Sequence, residues 1–392
     1  MRIGIDTTCW INARGYGRFT REILKAMVAG HSAHEYVFIT DSVTYPQCRF
    51  PEGVRVVNVP VKDAAANAAS YSGHRPIQDI YNMGRIVSKE PLDILFYPSV
   101  YTYFPVFSRA KKIVTIHDTI PESYPKLVFP NRKTRLFWKL KTRMALYQAD
   151  LVLTVSEHSK ESISTCFKLD KKKIAVTPEA ADVYFKPKSK NNATTAIVGK
   201  YGLSEDDRYF IYVGGISPHK NLRTLIRAFH KLQKRTAAPE RKLLIVGDLK
   251  DDTFWMDDTI REIANTNGGA NGILFTGYVP DEDLPYLYSG AEACVLPSFS
   301  EGFGLPALEA MACRTAVIGS KTTSLPEVVG EAGLFFDPQS SQELSDCMER
   351  IYTKPSLRNS LGKAGLRRAK SFTWKNAANE VVKTMERLAA SK

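Results

Sequence analysis

The chain has 392 residues, more than one hydrophobic core usually serves, so two domains are expected. A hydrophobic content of 44% and a charged content of 24% fit a folded globular protein and exclude a largely disordered one. No apolar run approaches the roughly 20 residues of a membrane-spanning helix. The start, Met1–Asp6, acquires a charge too early for a secretory signal. The six cysteines are scattered, which argues against a disulfide framework and predicts free thiols in the cytoplasm.

The net charge of +13 is concentrated in the first half of the chain. Residues 1–190 contain 29 Lys and Arg against 17 Asp and Glu, whereas residues 191–392 contain 25 against 24. A basic half indicates an anionic partner: phospholipid head groups, a lipid diphosphate or nucleic acid.

Short β-branched runs alternate with longer amphipathic stretches, the pattern of βα units around a parallel sheet. The strands predicted in the first half are Arg2–Asp6, Tyr36–Thr40, Val54–Val59, Ile94–Tyr97, Lys112–Ile116, Leu151–Val155 and Ile174–Thr177. A polar stretch, Lys186–Thr195, is predicted to be a linker. The strands predicted after it are Tyr209–Val213, Lys242–Val246, Gly272–Thr276, Ala293–Pro297, Ala316–Ile318 and Gly333–Phe336. Two such series predict two Rossmann-like domains, and a final helix is predicted over Trp374–Ala390.

The segment Phe299–Ala310 has the strongest functional pattern. It follows a predicted strand, and Pro306 suits the first turn of a helix. Two glycines before that helix allow a ligand to approach the backbone, and the N–H groups of the helix start favour a diphosphate. Glu301 is expected in the loop and Glu309 about one turn inside the helix. The alternative is a glycine-rich turn with two solvated glutamates.

The spacing of Glu301 and Glu309, with seven residues between them, resembles the signature of the family 4 retaining glycosyltransferases of GT-B fold. Four further segments resemble landmarks of that family in order along the chain: Thr115–Asp118, Ala149–Lys160, Tyr212–Leu222 and Leu325–Gly333. The resemblance covers nearly the whole chain. It implies an α/β protein with two facing Rossmann-like domains and a deep interdomain cleft.

The resemblance also implies how the chain is divided. Residues 1–187 are expected to form an N-terminal acceptor-binding domain and residues 188–373 a C-terminal domain that binds the nucleotide sugar. Residues 374–392 are expected to form a helix that packs back toward the N-terminal domain.

By this resemblance the protein moves a sugar from a nucleotide-diphosphate donor to an acceptor hydroxyl, with retention and without a metal or other cofactor. The sequences of Thr115–Asp118 and Pro218–Leu222 look most similar to those of polysaccharide mannosyltransferases. GDP-mannose is therefore the favoured donor and a UDP-sugar the alternative. The expected acceptor is a glycan or lipid-linked saccharide of polysaccharide or lipopolysaccharide biosynthesis, at the cytosolic face of a membrane. The rival functions are another GT-B enzyme, such as a nucleotide-sugar epimerase, and a non-catalytic nucleic-acid-binding protein.

Within that family pattern, three residues are predicted to be catalytic. His117 is expected to hold the sugar, Glu301 to orient it, and Lys220 to neutralise the leaving diphosphate. Many relatives carry an arginine at the position of Gly215, and its charge is expected to come from a protonated His219 or from Arg18 of the facing domain. The predicted donor-binding residues are Gly15, Gly17, Gly215, His219, Lys220, Phe303, Gly304, Leu305 and Glu309, the last of them at the ribose.

Two N-terminal segments, Arg14–Thr20 and the segment that ends at Asp118, are expected to bind the acceptor or a phosphate. Arg14–Thr20 is predicted to be a loop between the first strand and the first helix, with N–H groups that cradle an anion. Tyr16, Arg18 and Asp118 are the side chains assigned to this task.

Asp281-Glu282-Asp283 has the D-x-D form of metal-dependent glycosyltransferases, but its neighbours favour the first turn of a helix, and no metal site is predicted.

The segment Asn131–Arg143 combines six cations with four large apolar residues. As a basic amphipathic helix it would lie on an anionic membrane, with Phe137 and Trp138 inserted. The alternative is a helix that packs Leu136, Leu140 and Tyr147 inward. The membrane-contact candidates are Arg132, Lys133, Arg135, Phe137, Trp138 and Lys139. Nucleic acid is not an expected partner, because aromatic residues accompany the cations in only one place.

Overall fold

The structure is a computed structural model that describes residues 1–12, 15–65, 75–189, 191–204, 206–236, 241–248 and 272–391. The chain divides into two compact units. Met1–Glu179 and Thr373–Lys392 form the first unit, and Ala180–Phe372 forms the second.

The first unit contains a seven-stranded parallel sheet with the strand order β3-β2-β1-β4-β5-β6-β7. Its strands are β1 (Arg2–Asp6), β2 (Glu35–Asp41), β3 (Arg55–Val59), β4 (Ile94–Tyr97), β5 (Lys111–Thr115), β6 (Leu151–Thr154) and β7 (Ile174–Val176). Its helices are α1 (Gly15–Gly30), α2 (Ile77–Val87), α3 (Ile120–Ser123), α4 (Pro125–Val128), α5 (Arg132–Gln148) and α6 (Glu157–Phe167). The strand order reverses between β1 and β4.

The second unit contains a six-stranded parallel sheet with the strand order β10-β9-β8-β11-β12-β13. Its strands are β8 (Tyr209–Val213), β9 (Lys242–Val246), β10 (Ile273–Gly277), β11 (Ala293–Leu296), β12 (Ala316–Ser320) and β13 (Gly333–Phe336). Its helices are α7 (Asn192–Gly199), α8 (Leu222–Thr236), α9 (Leu284–Gly290), α10 (Leu305–Ala312), α11 (Leu325–Val329), α12 (Ser341–Thr353) and α13 (Pro355–Ala369). The order reverses between β8 and β11.

Strands β4 and β11 are apolar along their whole length because helices cover both faces of a parallel sheet. Every residue of β4 and of β11 is buried. Each predicted strand is present with its ends within two residues of the prediction. The predicted α/β class with two parallel-sheet, Rossmann-like domains is therefore confirmed.

The prediction of a linker over Lys186–Thr195 is wrong in its second half, where α7 begins. The side chain of Asn191 accepts a hydrogen bond from the backbone N–H of Thr194, which is the geometry of a helix N-cap. The polar residues that indicated a linker therefore start a helix.

The last helix, α14 (Trp374–Ala390), has the predicted bounds and belongs to the first unit. It packs on α1 and buries Val381, Val382 and Met385. A ring nitrogen of His31 lies 2.9 Å from the side-chain oxygen of Asn379, which adds a polar contact to this interface.

Helix α5 is oriented differently from both sequence-based alternatives. Trp138 is buried, so it is not the membrane-inserting residue that was predicted. Leu136, Leu140 and Tyr147 are exposed, so the prediction that they pack inward is also wrong. Trp138 faces inward, where its indole N–H has a hydrogen-bond partner: Nε1 donates to Oε1 of Glu122 at 2.6 Å.

No helix in the described parts of the chain is both long and apolar enough to cross a membrane.

We predict that Glu122 makes the stability of the first unit depend on pH. Burial raises the pKa of its carboxyl from 4.5 to about 7. The folded state therefore binds this proton more tightly than the unfolded chain does. The resulting stabilisation is complete below pH 4.5 and is lost as the pH rises through about 7.

Glu122→Gln keeps an acceptor for Trp138 and cannot ionise. Relative to the wild type it should gain about 1–3 kcal/mol of unfolding free energy between about pH 5 and pH 8, measured by urea denaturation. The exposed Glu52→Gln is the matched control and should leave the pH profile unchanged. A Glu122→Gln protein with the wild-type pH profile would show that this carboxyl does not titrate in that range.

Candidate active site

In the second unit, the connection from β11 to α10 is held in one conformation. The hydroxyl of Ser324 lies 3.1 Å from the carbonyl oxygen of Glu301 and 2.8 Å from that of Phe303. Gly304 has φ = +98°, and a β-carbon there would lie 2.5 Å from Cδ2 of Leu325. Glycine is therefore required just before α10. The helix begins at the carboxyl end of β11, beside the reversal of strand order, where Rossmann-like sheets bind ligands.

The same loop forms an ion pair with the connection that follows β8. The ammonium Nζ of Lys220 lies 2.8 Å from each carboxylate oxygen of Glu301. The hydroxyl of Ser298 donates a third hydrogen bond to Glu301, at 2.6 Å. The side chains of Lys220 and Glu301 are only 21% and 10% exposed, so their attraction is less screened than it would be in water. Sequence reasoning gave each residue a separate role and did not anticipate their pairing.

The expectation that a protonated His219 replaces the family's arginine is wrong. His219 is buried, and its Nδ1 lies 3.1 Å from the hydroxyl of Ser217. Burial, and then the neighbouring Lys220, lower the pKa of His219 to about 3, so the ring is neutral near pH 7. A β-carbon at Gly215 would meet no heavy atom within 4 Å, so crowding does not demand glycine there. Arg18 belongs to the first unit, and its role stays a prediction.

Glu309 lies in the second turn of α10 and is only 2% exposed. Its Oε2 accepts a hydrogen bond from the hydroxyl of Tyr288 at 3.1 Å. Glu301 is buried as well. The alternative of two solvated glutamates is therefore excluded.

Asn221 is a positioning residue that sequence reasoning missed. It is buried, with φ = +59°, and its Nδ2 donates to the carbonyl oxygens of Pro297 at 2.9 Å and Pro338 at 2.7 Å. Its Oδ1 accepts from the hydroxyl of Thr224. The turn that carries Lys220 is thereby tied to the end of β11. The available signal was an asparagine directly after a Pro-His-Lys turn, since asparagine tolerates positive φ better than most residues.

In the first unit, His117 follows β5 and both of its ring nitrogens face polar atoms. Nε2 donates to the carbonyl oxygen of Pro98 at 3.0 Å, and Nδ1 lies 3.6 Å from Oε1 of Glu179. Phe19 of α1 packs edge-to-face against the ring, with centroids 4.9 Å apart. Asp118 accepts a hydrogen bond from the backbone N–H of Ile120. This edge of the sheet therefore brings His117, Asp118 and α1 together.

The predicted loop over Arg14–Thr20 is wrong, because α1 already begins at Gly15. Arg14 lies outside the described residues. A β-carbon at Gly17 would lie 2.1 Å from the carbonyl oxygen of Asn12, so no larger residue fits this first turn. Tyr16 stacks on Tyr101 with ring centroids 4.8 Å apart. The N–H groups of a helix's first turn lack partners within the helix, so they can still face an anion.

The acidic triplet at residues 281–283 precedes α9 and does not form its first turn, which corrects that prediction. Asp281 accepts a hydrogen bond from the hydroxyl of Tyr184, and Asp283 accepts one from Tyr201. Among the described residues there is no group of three or more His, Cys, Asp or Glu side chains placed to hold a metal ion.

Two family models match the chain: Glycosyltransferase Family 4 over residues 13–184 and Glycosyl transferases group 1 over residues 194–368. O-antigen chain mannosyltransferase B of Escherichia coli is 36% identical over 276 residues, which are 69% of this chain and 69% of that protein. Serotype-specific mannosyltransferase WbdA of Escherichia coli is 27% identical over 287 residues, 72% of this chain but only 34% of WbdA. The chain thus spans about a third of that longer relative.

Solved structures agree in fold. Sucrose-phosphate synthase from Thermosynechococcus elongatus matches with a TM-score of 0.75 at 20% identity, over 100% of both chains. Anabaena Alr3699/HepE in complex with UDP-glucose matches with a TM-score of 0.72 at 16% identity, over 99% of this chain and 100% of that one.

Fold and matches together define the class, a glycosyltransferase of GT-B type. The chain belongs to the family 4 and group 1 glycosyltransferases, as the resemblance in its motifs predicted.

We predict that Asn221 stabilises the second unit more than an ordinary helix cap does. Asn221→Ala leaves two buried carbonyl groups without their donor and forces alanine to a positive φ, so it should cost about 2–4 kcal/mol in urea denaturation. Asn191→Ala, which removes an exposed cap in the same unit, should cost about 1 kcal/mol. Asn221→Gly accepts the positive φ and isolates the cost of the lost hydrogen bonds. Equal losses for Asn221→Ala and Asn191→Ala would contradict the positioning role.

Proposed function

We propose that this glycosyltransferase is a retaining, metal-independent hexosyltransferase of polysaccharide or lipopolysaccharide biosynthesis. GDP-mannose is the favoured donor and a UDP-sugar the alternative. The acceptor is the hydroxyl of a glycan or lipid-linked saccharide, at the cytosolic face of a membrane. Two mannosyltransferase relatives support the choice of sugar, and the neighbour bound to UDP-glucose supports a nucleotide-diphosphate donor.

The observation that carries the proposal is the Lys220–Glu301 pair at the start of α10. A donor diphosphate bound to the N–H groups of this helix start would compete with Glu301 for the ammonium group. Lys220 would then face the phosphate oxygens, and the released carboxylate would face the sugar. Lys220 and the helix start thus supply positive charge to the leaving group, which is the role a metal plays in other enzymes.

In the proposed reaction, the bond between the anomeric carbon and the phosphate oxygen breaks while the acceptor oxygen bonds to that carbon from the same face. The acceptor's proton moves to the departing phosphate oxygen, and the nucleoside diphosphate leaves. Negative charge develops on the diphosphate as the bond breaks, so a fixed ammonium group stabilises the transition state more than the bound donor.

The remaining predicted residues receive their roles unit by unit. In the second unit, Glu309 is assigned to the ribose. Phe303, Gly304 and Leu305 form the start of the helix that receives the diphosphate. In the first unit, His117 donates from Nε2 to Pro98, and its Nδ1, which lies 3.6 Å from Oε1 of Glu179, is assigned to a hydroxyl of the donor sugar.

Three residues of the first unit are assigned to the acceptor. Tyr16 offers an aromatic face, and Arg18 and Asp118 offer charge for the acceptor or its phosphate.

The proposed function predicts that Lys220→Ala lowers kcat by about 100-fold or more, because the leaving diphosphate loses a positive charge at the transition state. The measurement is acceptor-dependent release of GDP from GDP-mannose, with UDP-glucose as the comparison donor. Lys220→Arg is the matched variant that retains a cation and should lose less activity.

An unchanged kcat for Lys220→Ala would refute the role of Lys220. Conversion of one nucleotide sugar into another without acceptor would instead support the rival epimerase function.

We further propose that the outer face of α5 binds an anionic membrane. Leu136, Leu140, Met144 and Tyr147 recur at helical spacing, so they form one stripe, and all four are exposed. Phe137 lies beside the stripe and is exposed as well. Three exposed cations, Arg132, Lys139 and Arg143, lie along one edge of it. An apolar stripe with a basic border suits a helix that lies in the head-group region of anionic lipid.

This proposal predicts that the double variant Leu140→Glu and Met144→Glu loses at least tenfold in affinity for vesicles, because burying each apolar side chain is worth about 1.5–3 kcal/mol. Sedimentation with vesicles of phosphatidylcholine, with and without phosphatidylglycerol, measures the effect. Phe107→Glu is the control, since Phe107 is apolar and even more exposed than Leu140 and Met144 but lies outside α5. Equal pelleting with and without phosphatidylglycerol would remove the electrostatic part of the proposal.

A further inference from the structure

Two cations of the first unit converge on one turn at the carboxyl end of its sheet. The turn is the 3-10 helix Val100–Thr102, which follows β4. Arg75 Nη1 donates to the carbonyl oxygen of Thr102 at 3.1 Å, and Lys141 Nζ donates to that of Tyr101 at 3.0 Å. The turn stands beside the reversal of strand order between β1 and β4, where ligands bind in sheets of this kind.

Arg75 has two donor nitrogens that no described residue uses. Its guanidinium carbon lies 5.8 Å from the ring centroid of Phe104, and Nε and Nη2 are buried with no hydrogen-bond partner among the described residues. These two nitrogens lie on the same side of the guanidinium group. They form the fork that binds two oxygens of one phosphate. A buried donor without a partner is unfavourable, so two of them indicate a ligand or a buried water at this position.

Lys141 is held in an aromatic environment without a carboxylate. Its Nζ lies 4.8 Å from the ring centroid of Trp138 and 5.9 Å from that of Tyr101. Burial, and then Arg75, lower the pKa of Lys141 to about 7. Neither Arg75 nor Lys141 forms an ion pair with a carboxylate of the described residues.

Three acids near Arg75 are engaged elsewhere. Asp6, Asp41 and Asp79 act on the guanidinium from a distance and partly offset the effect of burial, which lowers the pKa of Arg75. Asp6 accepts hydrogen bonds from Thr8 and Thr102. Asp41 accepts the backbone N–H groups of Val43, Thr44 and Ala65. Asp79 accepts those of Lys62 and Asp63.

The start of α1 adds a further favourable field for an anion. Tyr16, in the first turn of this helix, stacks on Tyr101, whose carbonyl accepts the Lys141 hydrogen bond. The positive end of the helix dipole therefore lies next to the same turn. The basic excess of residues 1–190 acts in the same direction.

We propose that Arg75 and Lys141 form a binding site for a phosphate or diphosphate group, and that the acceptor carries this group. The naming of the acceptor rests on the proposed function. The site itself rests on the geometry of the two cations. Trp138 and Lys141 lie on the inner side of α5, and the apolar stripe lies on its outer side. One helix would thus contact both the membrane and the anionic head of a lipid-linked acceptor.

Calorimetric titration with inorganic pyrophosphate tests the site. The titration uses the full chain with Lys220→Ala, which should weaken diphosphate binding in the second unit. Lys141→Met and Arg75→Gln, each added to this background, should weaken binding about tenfold or more. Lys89→Met, at an exposed lysine of the same unit, should bind as the background does. Lys141→Arg should restore most of the affinity, and Lys141→Met should unfold at the same temperature or higher, because it removes a buried charge.

Unchanged affinity in Lys141→Met and Arg75→Gln would overturn the proposal and leave a buried water as the occupant of the fork. Equal weakening by Lys89→Met would overturn it as well, because the effect would then be one of overall charge.

A second titration distinguishes the sources of the anion. Tighter binding of farnesyl diphosphate than of pyrophosphate supports a lipid-linked acceptor, and equal binding supports a site for the phosphate group alone. Farnesol that binds as well as farnesyl diphosphate would overturn the anion site. Because these titrations involve no sugar transfer, their outcome is independent of the transferase assay. Either proposal can fail while the other stands.

Discussion

The reversal of strand order is the constraint on which the placement of the Lys220–Glu301 pair and of the turn Val100–Thr102 depends. In a parallel sheet each connection runs from the carboxyl end of one strand to the amino end of the next, and where the direction of winding changes, the connections diverge. The reversals lie between β1 and β4 and between β8 and β11. Lys220 follows β8 and Glu301 follows β11, so two segments about 80 residues apart meet in one ion pair. The turn Val100–Thr102 follows β4 in the equivalent place.

The candidate anion-binding cations have different partners in the two units. In the second unit Lys220 is already matched by Glu301, so an anion that reaches it must displace a carboxylate. In the first unit Arg75 and Lys141 are held by backbone carbonyl groups and aromatic rings. An anion at the proposed site would gain these two cations without displacing a carboxylate from them.

The sequence predicted the strands well because strands buried on both faces are short, continuous apolar runs with polar ends. The sequence-based predictions failed where one residue type is common both in loops and at the start of helices. Asparagine is common in turns, but Asn191 caps α7. The glycines that indicated a loop lie in the first turn of α1. The rotation of α5 was not predictable, because apolar residues occur around most of its circumference and the partner that selects Trp138 is Glu122, outside the helix. The pairing of Lys220 with Glu301 and the role of Asn221 depend on contacts between distant segments, which no local pattern contains.

The path of the chain has a consequence for how the protein is made. The first unit comprises residues 1–179 and a helix that begins at Trp374, and the whole second unit lies between them in the sequence. The ribosome therefore completes the second unit before it supplies the helix that packs on α1. Until then the apolar face of α1 that will receive Val381, Val382 and Met385 stays uncovered. The second unit is contiguous and does not include that helix, so the first unit becomes complete only after the whole second unit has been synthesised.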